Sequence, residues 1–423
     1  MNVILAALGS HGDVHPFIGI GLGLRARGHR VRVVANAYFT PLIEDVGVEA
    51  ISLGTAEEYK RMAANPALWR RFRGTRTAFS FVGSFIRPVY DAIASNFIAG
   101  QTVVGASTLA LGARVAQDHL GVPTASIHLQ PSMFFSTIDP PYLPGLYMRN
   151  WMPAWMKRAQ YAVVDGILDR IAGPALNEFR HELGLPPARR VLTRFVNSPD
   201  RVIGLFPEWF APPQPDWPPQ ARLSGFPLYD ERGTSGIPES VLKFLDEGDP
   251  PVAFTPGSAM WIAHRFLEES AAACKLMGRR GLLLTRHRDH LPSSLPPGVL
   301  HVEYAPFSEL LPRCAALVHH GGIGTSAQAL SAGIPQLIVP HAHDQPDNAA
   351  RLVRLGVAQQ LAPKQFRRSR IAALVNELIA SPGIRENCRQ ISRRFGELDP
   401  VAQTCDLIEQ LLPSPALPTV LVS

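Results

Sequence analysis

The chain opens on the apolar run Val3-Ile4-Leu5-Ala6-Ala7-Leu8, followed directly by Gly9-Ser10-His11-Gly12-Asp13. A run without polar alternation is typical of a strand buried on both faces of a parallel sheet. A helix is expected to begin near Pro16, because proline is tolerated in a first turn. Val31–Ala35 is then predicted to form the next strand. This order predicts a βαβ unit of a doubly wound α/β domain.

The same opening argues against a dinucleotide-binding domain. That fingerprint needs glycines in G-x-G-x-x-G spacing and an acidic residue after the second strand. This loop supplies Gly9 and Gly12, and Asn36 stands where the acid is expected. A dehydrogenase is therefore disfavoured.

Length and composition favour a globular protein of two domains. The chain has 423 residues, of which 46% are hydrophobic and 18% charged, which is too long for one ordinary core. The net charge is +6, but the basic residues are scattered without interleaved aromatics, so no nucleic-acid partner is expected. The cysteines lack metal spacing and fit a reduced compartment. No signal peptide and no apolar run of about 18 residues are found. A cytoplasmic location is expected, and peripheral contact with the inner membrane stays open.

A proline-rich segment marks the predicted domain boundary. Six prolines fall between positions 207 and 219, a density that favours an extended, semi-rigid connector. The predicted division is a first domain at 1–206, a linker at 207–222, a second domain at 223–395, and a C-terminal helix and tail at 396–423 that packs back on the first domain.

Strand–helix alternation restarts after this segment. The predicted strands are Val252–Phe254, Leu282–Thr285, Ala316–Val318 and Gln336–Val339, and the predicted helices are Phe266–Met277, Ser326–Ala332 and Ala349–Leu355. Two similar α/β domains create a cleft, and ligands bind at the carboxyl ends of such strands.

The strongest chemical signal is His319-His320-Gly321-Gly322-Ile323-Gly324-Thr325, which follows a predicted strand. A glycine-rich turn that leads into a helix near Thr325 offers unpaired N–H groups and the positive end of the helix dipole to a phosphate. His319 is predicted to donate a hydrogen bond to that phosphate or to the leaving oxygen. A tight turn without a ligand explains the glycines equally well.

A second loop, Pro340–Asn348, follows the next strand at the same edge. Asp344 and Gln345 are predicted to bind the vicinal hydroxyls of a sugar, as carboxylates and amides do. A loop that caps the following helix is the alternative. His341 and His343 have no third ligand in view, so no metal site is expected.

Two further loops complete the predicted cleft. Thr255-Pro256-Gly257-Ser258 has small residues that would let the backbone approach a diphosphate, with Ser258 as a hydroxyl donor. In the first domain, Asp13 could take a proton from an acceptor hydroxyl, although it could also cap the helix, and His11 and His15 compete as bases. The chain has no Asp-x-Asp pair, so the enzyme is expected to work without a metal or other cofactor, with the sugar nucleotide as co-substrate.

Together, these loops resemble glycosyltransferase family 1, of GT-B fold. Within it, the chain is most similar to the rhamnosyltransferases of rhamnolipid biosynthesis, on the stretches 12–19, 209–214, 225–228, 343–348 and 351–356. That resemblance implies inverting transfer of L-rhamnose from dTDP-L-rhamnose to a 3-(3-hydroxyalkanoyloxy)alkanoate, giving a mono-rhamnolipid. An acceptor-synthesising partner protein is a further implied contact. The alternative is a UDP- or dTDP-sugar transferase acting on a macrolide, a glycopeptide or another lipophilic natural product.

The resemblance also implies roles for individual residues. Asp13 matches the catalytic base, and plant members carry His in its place. Asp344 and Gln345 match sugar binding, and Tyr304 with Pro306 matches the site where an aromatic ring stacks on the base. Diphosphate binding is matched by His319, Gly321, Gly324 and Thr325. Gly12 and Ser258, from the other two loops, are predicted to contact the diphosphate as well.

The acceptor is expected to bind within residues 58–160, a segment rich in large apolar side chains. Most of these are expected to form ordinary core, but their number suits an acyl chain better than a sugar or peptide. The named acceptor contacts are His15, Phe85, Phe134 and Phe135. A binding subunit that needs a partner enzyme and a hydrolysing sugar-nucleotide epimerase are the other classes considered.

Overall fold

The computed structural model describes residues 1–69, 73–143, 145–149, 151–230, 236–257 and 263–412. Within these ranges the chain forms two parallel sheets, each covered by helices. The first domain contains the strands β1 (Asn2–Ala6), β2 (Arg30–Asn36), β3 (Glu49–Leu53), β4 (Thr102–Ser107), β5 (Thr124–His128), β6 (Arg201–Gly204) and β7 (Ala221–Leu223). Its helices are α1 (His11–Ala26), α2 (Thr40–Glu44), α3 (Ala56–Ala63), α4 (Arg73–Ala94), α5 (Leu111–Leu120) and α6 (Ala154–Glu182).

The second domain repeats the alternation. Its strands are β8 (Val252–Thr255), β9 (Gly281–Leu284), β10 (Val299–Val302), β11 (Ala316–His319), β12 (Gln336–Ile338) and β13 (Ala358–Gln360). Its helices are α7 (Glu239–Asp246), α8 (His264–Met277), α9 (Phe307–Leu310), α10 (Ile323–Ala332), α11 (Gln345–Arg354), α12 (Arg368–Ala380) and α13 (Pro382–Arg393), and α14 (Pro400–Glu409) follows them.

The strand order places the functional loops. The first sheet runs β3-β2-β1-β4-β5-β6-β7 and the second runs β10-β9-β8-β11-β12-β13. In each sheet the order reverses beside a central strand, β1 in the first and β8 in the second. Ligands of open α/β sheets bind at such switch points, outside the carboxyl ends of the strands. The two-domain α/β fold predicted from the sequence is confirmed.

Strand β1 shows why the opening run forms a central strand. Val3 pairs in register with Val31 on one side and with Val103 on the other, and the side chains of β1 from Val3 to Ala6 have no exposed surface. A strand buried on both faces needs apolar residues without alternation, which is what the sequence supplies.

The predicted linker differs from the structure. β7 pairs with β6, with Val202 opposite Ala221, so the first sheet extends beyond position 222. The proline-rich segment also carries Trp217, which is buried with its ring 4.6 Å from that of Phe134. Burial of this large apolar side chain holds the segment against the first domain, whereas an extended connector was predicted.

Helix α14 contacts the first domain. Arg27 of α1 donates to Asp406 Oδ1 at 2.6 Å and to Glu409 at 2.9 Å. His29 lies 2.6 Å from Glu409 Oε1. An added Cβ at Gly23 would come within 2.7 Å of Val401, so the two helices pack closely because α1 has a glycine at the contact.

One apolar cluster joins the two domains. Phe17 and Ile20 of α1 belong to the same buried cluster as Ile323 and Ala327 of α10. Among the described residues, no helix combines the length and apolar character that crossing a bilayer requires.

Candidate active site

Asp13 lies in the first turn of α1, at the edge of the first domain that faces the second. The helix begins at His11, five residues before the predicted start near Pro16, because Ser10 is its N-cap. The Ser10 N–H and hydroxyl donate to Asp13 Oδ2 at 2.7 and 3.0 Å. Gly9 has φ +138°, and an added Cβ there would lie 2.2 Å from the same oxygen, so the turn requires glycine.

The environment of Asp13 suits a proton acceptor. Burial raises the pKa of its carboxyl group, and the two hydrogen bonds from Ser10 oppose that shift. A carboxylate with a raised pKa is a stronger base than an ordinary one.

Asp344 is the corresponding carboxyl group of the second domain. Burial raises its pKa to about 7, and the charge of Asp13 contributes to the rise, so the two carboxyl groups interact across the cleft. Asn348 donates from Nδ2 to Asp344 Oδ2 at 2.6 Å and to the Gly321 carbonyl at 3.0 Å. Asn348 thereby fixes the two predicted binding loops to each other.

The loop before α11 adopts an unusual backbone conformation. His343 has φ +57°, which is rare for a residue with a side chain and tends to occur at functional sites. Gln345 Oε1 accepts hydrogen bonds from the His341 and Ala342 N–H groups at 2.7 and 3.1 Å. The described bonds of Gln345 use its oxygen, so its amide nitrogen is the atom that can donate to a sugar hydroxyl.

His319 has a different position from the one predicted. Its side chain is fully buried at the end of β11. Nε2 lies 3.0 Å from Gln336 Oε1, and Nδ1 accepts from the Gly321 N–H at 3.2 Å. Burial lowers the pKa of the ring to about 4. Because both nitrogens are engaged inside the domain, the structure contradicts the prediction that His319 donates to the diphosphate or the leaving oxygen.

His320 is a further candidate site residue, which the sequence analysis did not single out. Its Nδ1 is buried without a hydrogen-bond partner among the described residues. Added Cβ atoms at Gly257 and at Gly322 would each lie 2.5 Å from the ring, so both glycines make room for it. Burial lowers the pKa of His320 to about 3, so the ring is neutral at pH 7. The sequence signal that could have indicated His320 is Gly257 in the loop after β8. This glycine lies against the His320 ring where the neighbouring strands β8 and β11 end.

Helix α10 presents its N-terminus beside His320. The helix begins at Ile323, two residues before the predicted start, with Gly322 as its N-cap. The first intrahelical bond runs from the Ser326 N–H to the Gly322 carbonyl at 3.0 Å. The N–H groups of the first turn of the helix, including those of Gly324 and Thr325, therefore have no partner in the helix and can attract an anion.

Gly324 is exposed and Thr325 half-buried, so both remain candidates for diphosphate binding. Gly321 is buried and has φ +93°, a conformation that the turn needs. Gly12 is exposed in the first turn of α1. Ser258 lies outside the described residues.

Tyr304 and Arg286 lie together at the cleft. The Tyr304 hydroxyl donates to the Asp230 carbonyl at 2.5 Å, and the Arg286 guanidinium lies 5.0 Å from the centre of the Tyr304 ring. Arg286 Nη1 is also 3.3 Å from Nε2 of His11 in the first domain. Pro306 is buried just before α9. The Arg286 guanidinium thus lies over the aromatic ring that is predicted to stack on the nucleotide base. Arg286 was not among the residues predicted from the sequence.

A cavity of about 470 Å³ opens between α3 and α4, beside the carboxyl end of β3. Phe85 lines it, together with Met62, Phe81, Ser84 and Arg61. Phe85 is itself only 7% exposed, and Glu58 also lines the cavity. Phe85 therefore lies in the wall of a space with apolar and charged groups and stays a candidate acceptor contact.

The other predicted acceptor residues do not meet at this cavity. Phe134 is buried, with its ring 5.3 Å from that of Phe206, so it belongs to the core and its predicted acceptor contact is wrong. Phe135 packs edge-on against Tyr161 at 5.1 Å. The His15 ring packs against Tyr229 at 5.6 Å, which places it near the connection between the domains.

Family models match both halves of the chain. Residues 3–133 match the glycosyltransferase family 28 N-terminal domain, and residues 282–401 match the erythromycin biosynthesis protein CIII-like C-terminal domain. These ranges include Asp13 in the first domain, and His320 and Asp344 in the second.

Comparison with individual proteins agrees. The chain is 33% identical to the O-mycaminosyltylonolide 6-deoxyallosyltransferase of Streptomyces fradiae, over 97% of each chain. The solved structure of the kitacinnamycin glycosyltransferase aligns with a TM-score of 0.74 at 22% identity, over 97% of this chain and 99% of that one.

The spinosyn rhamnosyltransferase SpnG, solved with thymidine diphosphate, aligns with a TM-score of 0.68 at 18% identity, over 96% and 100%. At these identities the structural matches show only that the GT-B fold is shared. The family is shown by the Streptomyces fradiae relative, which is 33% identical along 97% of both chains. The protein therefore belongs to the glycosyltransferases that combine a family 28 N-terminal domain with an EryCIII-like C-terminal domain.

Proposed function

We propose that this glycosyltransferase moves a sugar from a thymidine-diphosphate donor to a hydroxyl group of a macrolide-type natural product, with inversion at the anomeric carbon. The observation that carries the proposal is that Asp13 and Asp344, one from each domain, interact electrostatically beside the N-terminus of α10. That arrangement supplies a base, a sugar ligand and an anion site in one cleft.

The reaction is a single displacement. The acceptor hydroxyl forms a bond to the anomeric carbon while its proton passes to Asp13, and the bond from that carbon to the diphosphate oxygen breaks. The departing diphosphate carries negative charge, which the N–H groups of α10 and the neutral His320 ring stabilise. These groups are fixed before the reaction, so their stabilisation is greatest when the charge develops.

Asp344 and Gln345 bind the sugar in this proposal. With a pKa near 7, Asp344 can accept or donate a hydrogen bond at neutral pH, and Gln345 can donate through its amide nitrogen. Asn348 holds Asp344 against the glycine turn, so sugar and diphosphate are oriented by one rigid unit.

Similarity to a relative supports the proposed acceptor class. A protein named for transfer to O-mycaminosyltylonolide is similar along 97% of both chains. This favours a large polyketide acceptor over the hydroxyalkanoyl ester implied by the sequence resemblance. The thymidine nucleotide of the donor is supported by the SpnG complex. The cavity beside Phe85 provides an apolar space for part of the acceptor.

The proposal is tested with the purified protein and two panels of compounds. Thermal shift with thymidine, uridine and guanosine diphosphates should give the largest stabilisation with the thymidine nucleotide. Mass spectrometry should then detect sugar transfer to macrolide aglycones, and the Asp13→Asn variant serves as the inactive control. Transfer to 3-(3-hydroxyalkanoyloxy)alkanoates but to no polyketide would refute the proposed acceptor class, and sugar release without an acceptor would indicate a hydrolase.

A further inference from the structure

We propose that the outward face of α6, with the segment before it, is a docking surface for an anionic lipid bilayer. Trp155, Val163 and Ile167 lie on that face at helical spacing, and at least half of each side chain is exposed. Tyr161 and Leu168 cover the opposite, buried face. The helix thus presents apolar side chains both towards the core and towards solvent.

The segment before α6 extends this surface. Trp151 is 73% exposed and Tyr147 is 59% exposed. The Tyr147 backbone exchanges two hydrogen bonds of 2.9 Å with the Gln160 side chain, which holds it along the helix. Exposed aromatic and aliphatic side chains therefore follow one another from Tyr147 to Ile167, and groups of this kind mark interaction sites.

The charges on this face are complementary to an anionic surface. Arg170 is exposed on this face and Arg149 in the segment before it, and the Arg149 guanidinium lies over the Tyr147 ring at 4.7 Å. The acidic groups between positions 147 and 170 are engaged elsewhere, since Asp165 is buried and Asp169 accepts the Arg190 and Val191 N–H groups at 2.8 Å. The exposed acids of α6, Glu178 and Glu182, lie beyond this stretch towards the end of the helix.

Tryptophan and tyrosine flanked by arginine favour the headgroup region of a bilayer, with rings in the interface and guanidinium groups on the phosphates. A protein partner would need a matching acidic and apolar surface, whereas a bilayer that contains anionic lipids supplies both properties without a specific fit. The chemistry therefore favours lipid as the occupant.

The surface also leads to the active site. Tyr142 is 63% exposed, and its N–H donates to Asp347 Oδ1 at 2.9 Å, three residues after Asp344. The patch therefore ends at the mouth of the cleft. If the proposed function holds, a lipophilic acceptor dissolved in the bilayer would enter there; the lipid contact itself does not depend on that function.

The test is co-sedimentation of the full-length protein with vesicles of phosphatidylglycerol and phosphatidylcholine, or of phosphatidylcholine alone. We expect binding to the anionic vesicles that weakens with salt. The double variant Trp151→Ser/Trp155→Ser should lower the partition coefficient about tenfold or more. The control Leu276→Ser/Leu398→Ser removes two other apolar groups that are more than half exposed, at 59% and 63%, and should bind like the parent.

Two results would overturn the proposal. One is a parent protein that does not sediment with anionic vesicles at low salt. The other is a parent that is dimeric by analytical ultracentrifugation and becomes monomeric in the tryptophan variant without any change in lipid binding, which would assign the face to a second copy of the chain. Circular dichroism and donor binding of both variants verify that they are folded.

Discussion

Arg351 of α11 reaches Asp139 of the first domain, with 3.1 Å between Nη1 and Oδ2. The Arg351 side chain is only 3% exposed and also donates to Asp347 Oδ2 at 2.8 Å. Because Asp344 is the residue directly before α11, this pair links the position of Asp344 to the first domain.

Removing the charge of Asp139 should therefore loosen donor binding. We expect Asp139→Asn to raise the KM for the sugar nucleotide about threefold to tenfold, with a smaller change in kcat. Steady-state kinetics measure both. Arg354→Ala is the control, since Arg354 is exposed and 3.4 Å from the same carboxylate, and an exposed pair contributes little. Equal effects of the two variants would exclude the specific role of Arg351.

Asp13→Asn should lower turnover about a hundredfold or more. The amide keeps an oxygen for the Ser10 bonds but cannot take the acceptor proton. Affinity for thymidine diphosphate, measured by calorimetry, should stay near the parent value. Near-normal kcat would remove Asp13 from the role of base.

His320 and His319 should respond differently to alanine. Loss of the His320 ring should weaken binding of thymidine diphosphate about tenfold, with little change in Tm. Loss of the His319 ring should mainly lower stability, by about 1–3 kcal/mol, because Gln336 and the Gly321 N–H lose their buried partner. Calorimetry and thermal unfolding distinguish the two, and the reverse pattern would restore His319 as the diphosphate ligand.

Asp344 should make stability depend on pH. Its pKa is raised from 3.8 to about 7, so the folded protein retains a proton that the unfolded chain releases above pH 4. Stability from this group is present at low pH and is lost as the pH rises towards 7. Asp344→Asn should therefore raise Tm relative to the parent by more at pH 8 than at pH 4. Thermal scans at both values are the measurement, and a constant difference would contradict the raised pKa.

Ser84→Trp should block the cavity beside Phe85. Ser84 is an exposed residue of α4 that lines this space, so a large side chain there should raise the acceptor KM about tenfold. Donor binding should not change. Ser95→Trp, just beyond the end of the same helix, is the control. Unchanged acceptor kinetics in the Ser84 variant would place the acceptor elsewhere.

The sequence predicted six of the thirteen strands found in the described residues, namely β1, β2, β8, β9, β11 and β12, because each is a largely apolar run followed by a turn. It missed strands such as β3, β7 and β13, which are short or carry polar residues. It singled out His319 and not His320, because successive side chains at a strand end point to opposite sides and spacing alone does not indicate which side faces a ligand. His319 turns towards Gln336, whereas the His320 ring lies against the glycines of the two turns, Gly257 and Gly322. Phe85 and Phe134 pose the same difficulty, since an aromatic residue of the core and one of a pocket have the same composition.

The contacts of α14 bear on attempts to build hybrids of this enzyme. A hybrid that joined residues 1–206 to the remainder of another glycosyltransferase would replace Asp406 and Glu409 while keeping Arg27 and His29. It would also put foreign residues against Gly23, where there is no room for a larger contact. A hybrid made to exchange donor specificity should therefore keep the native segment 400–409. The foreign second domain would then be joined to the native chain at two points, one before it and one after it.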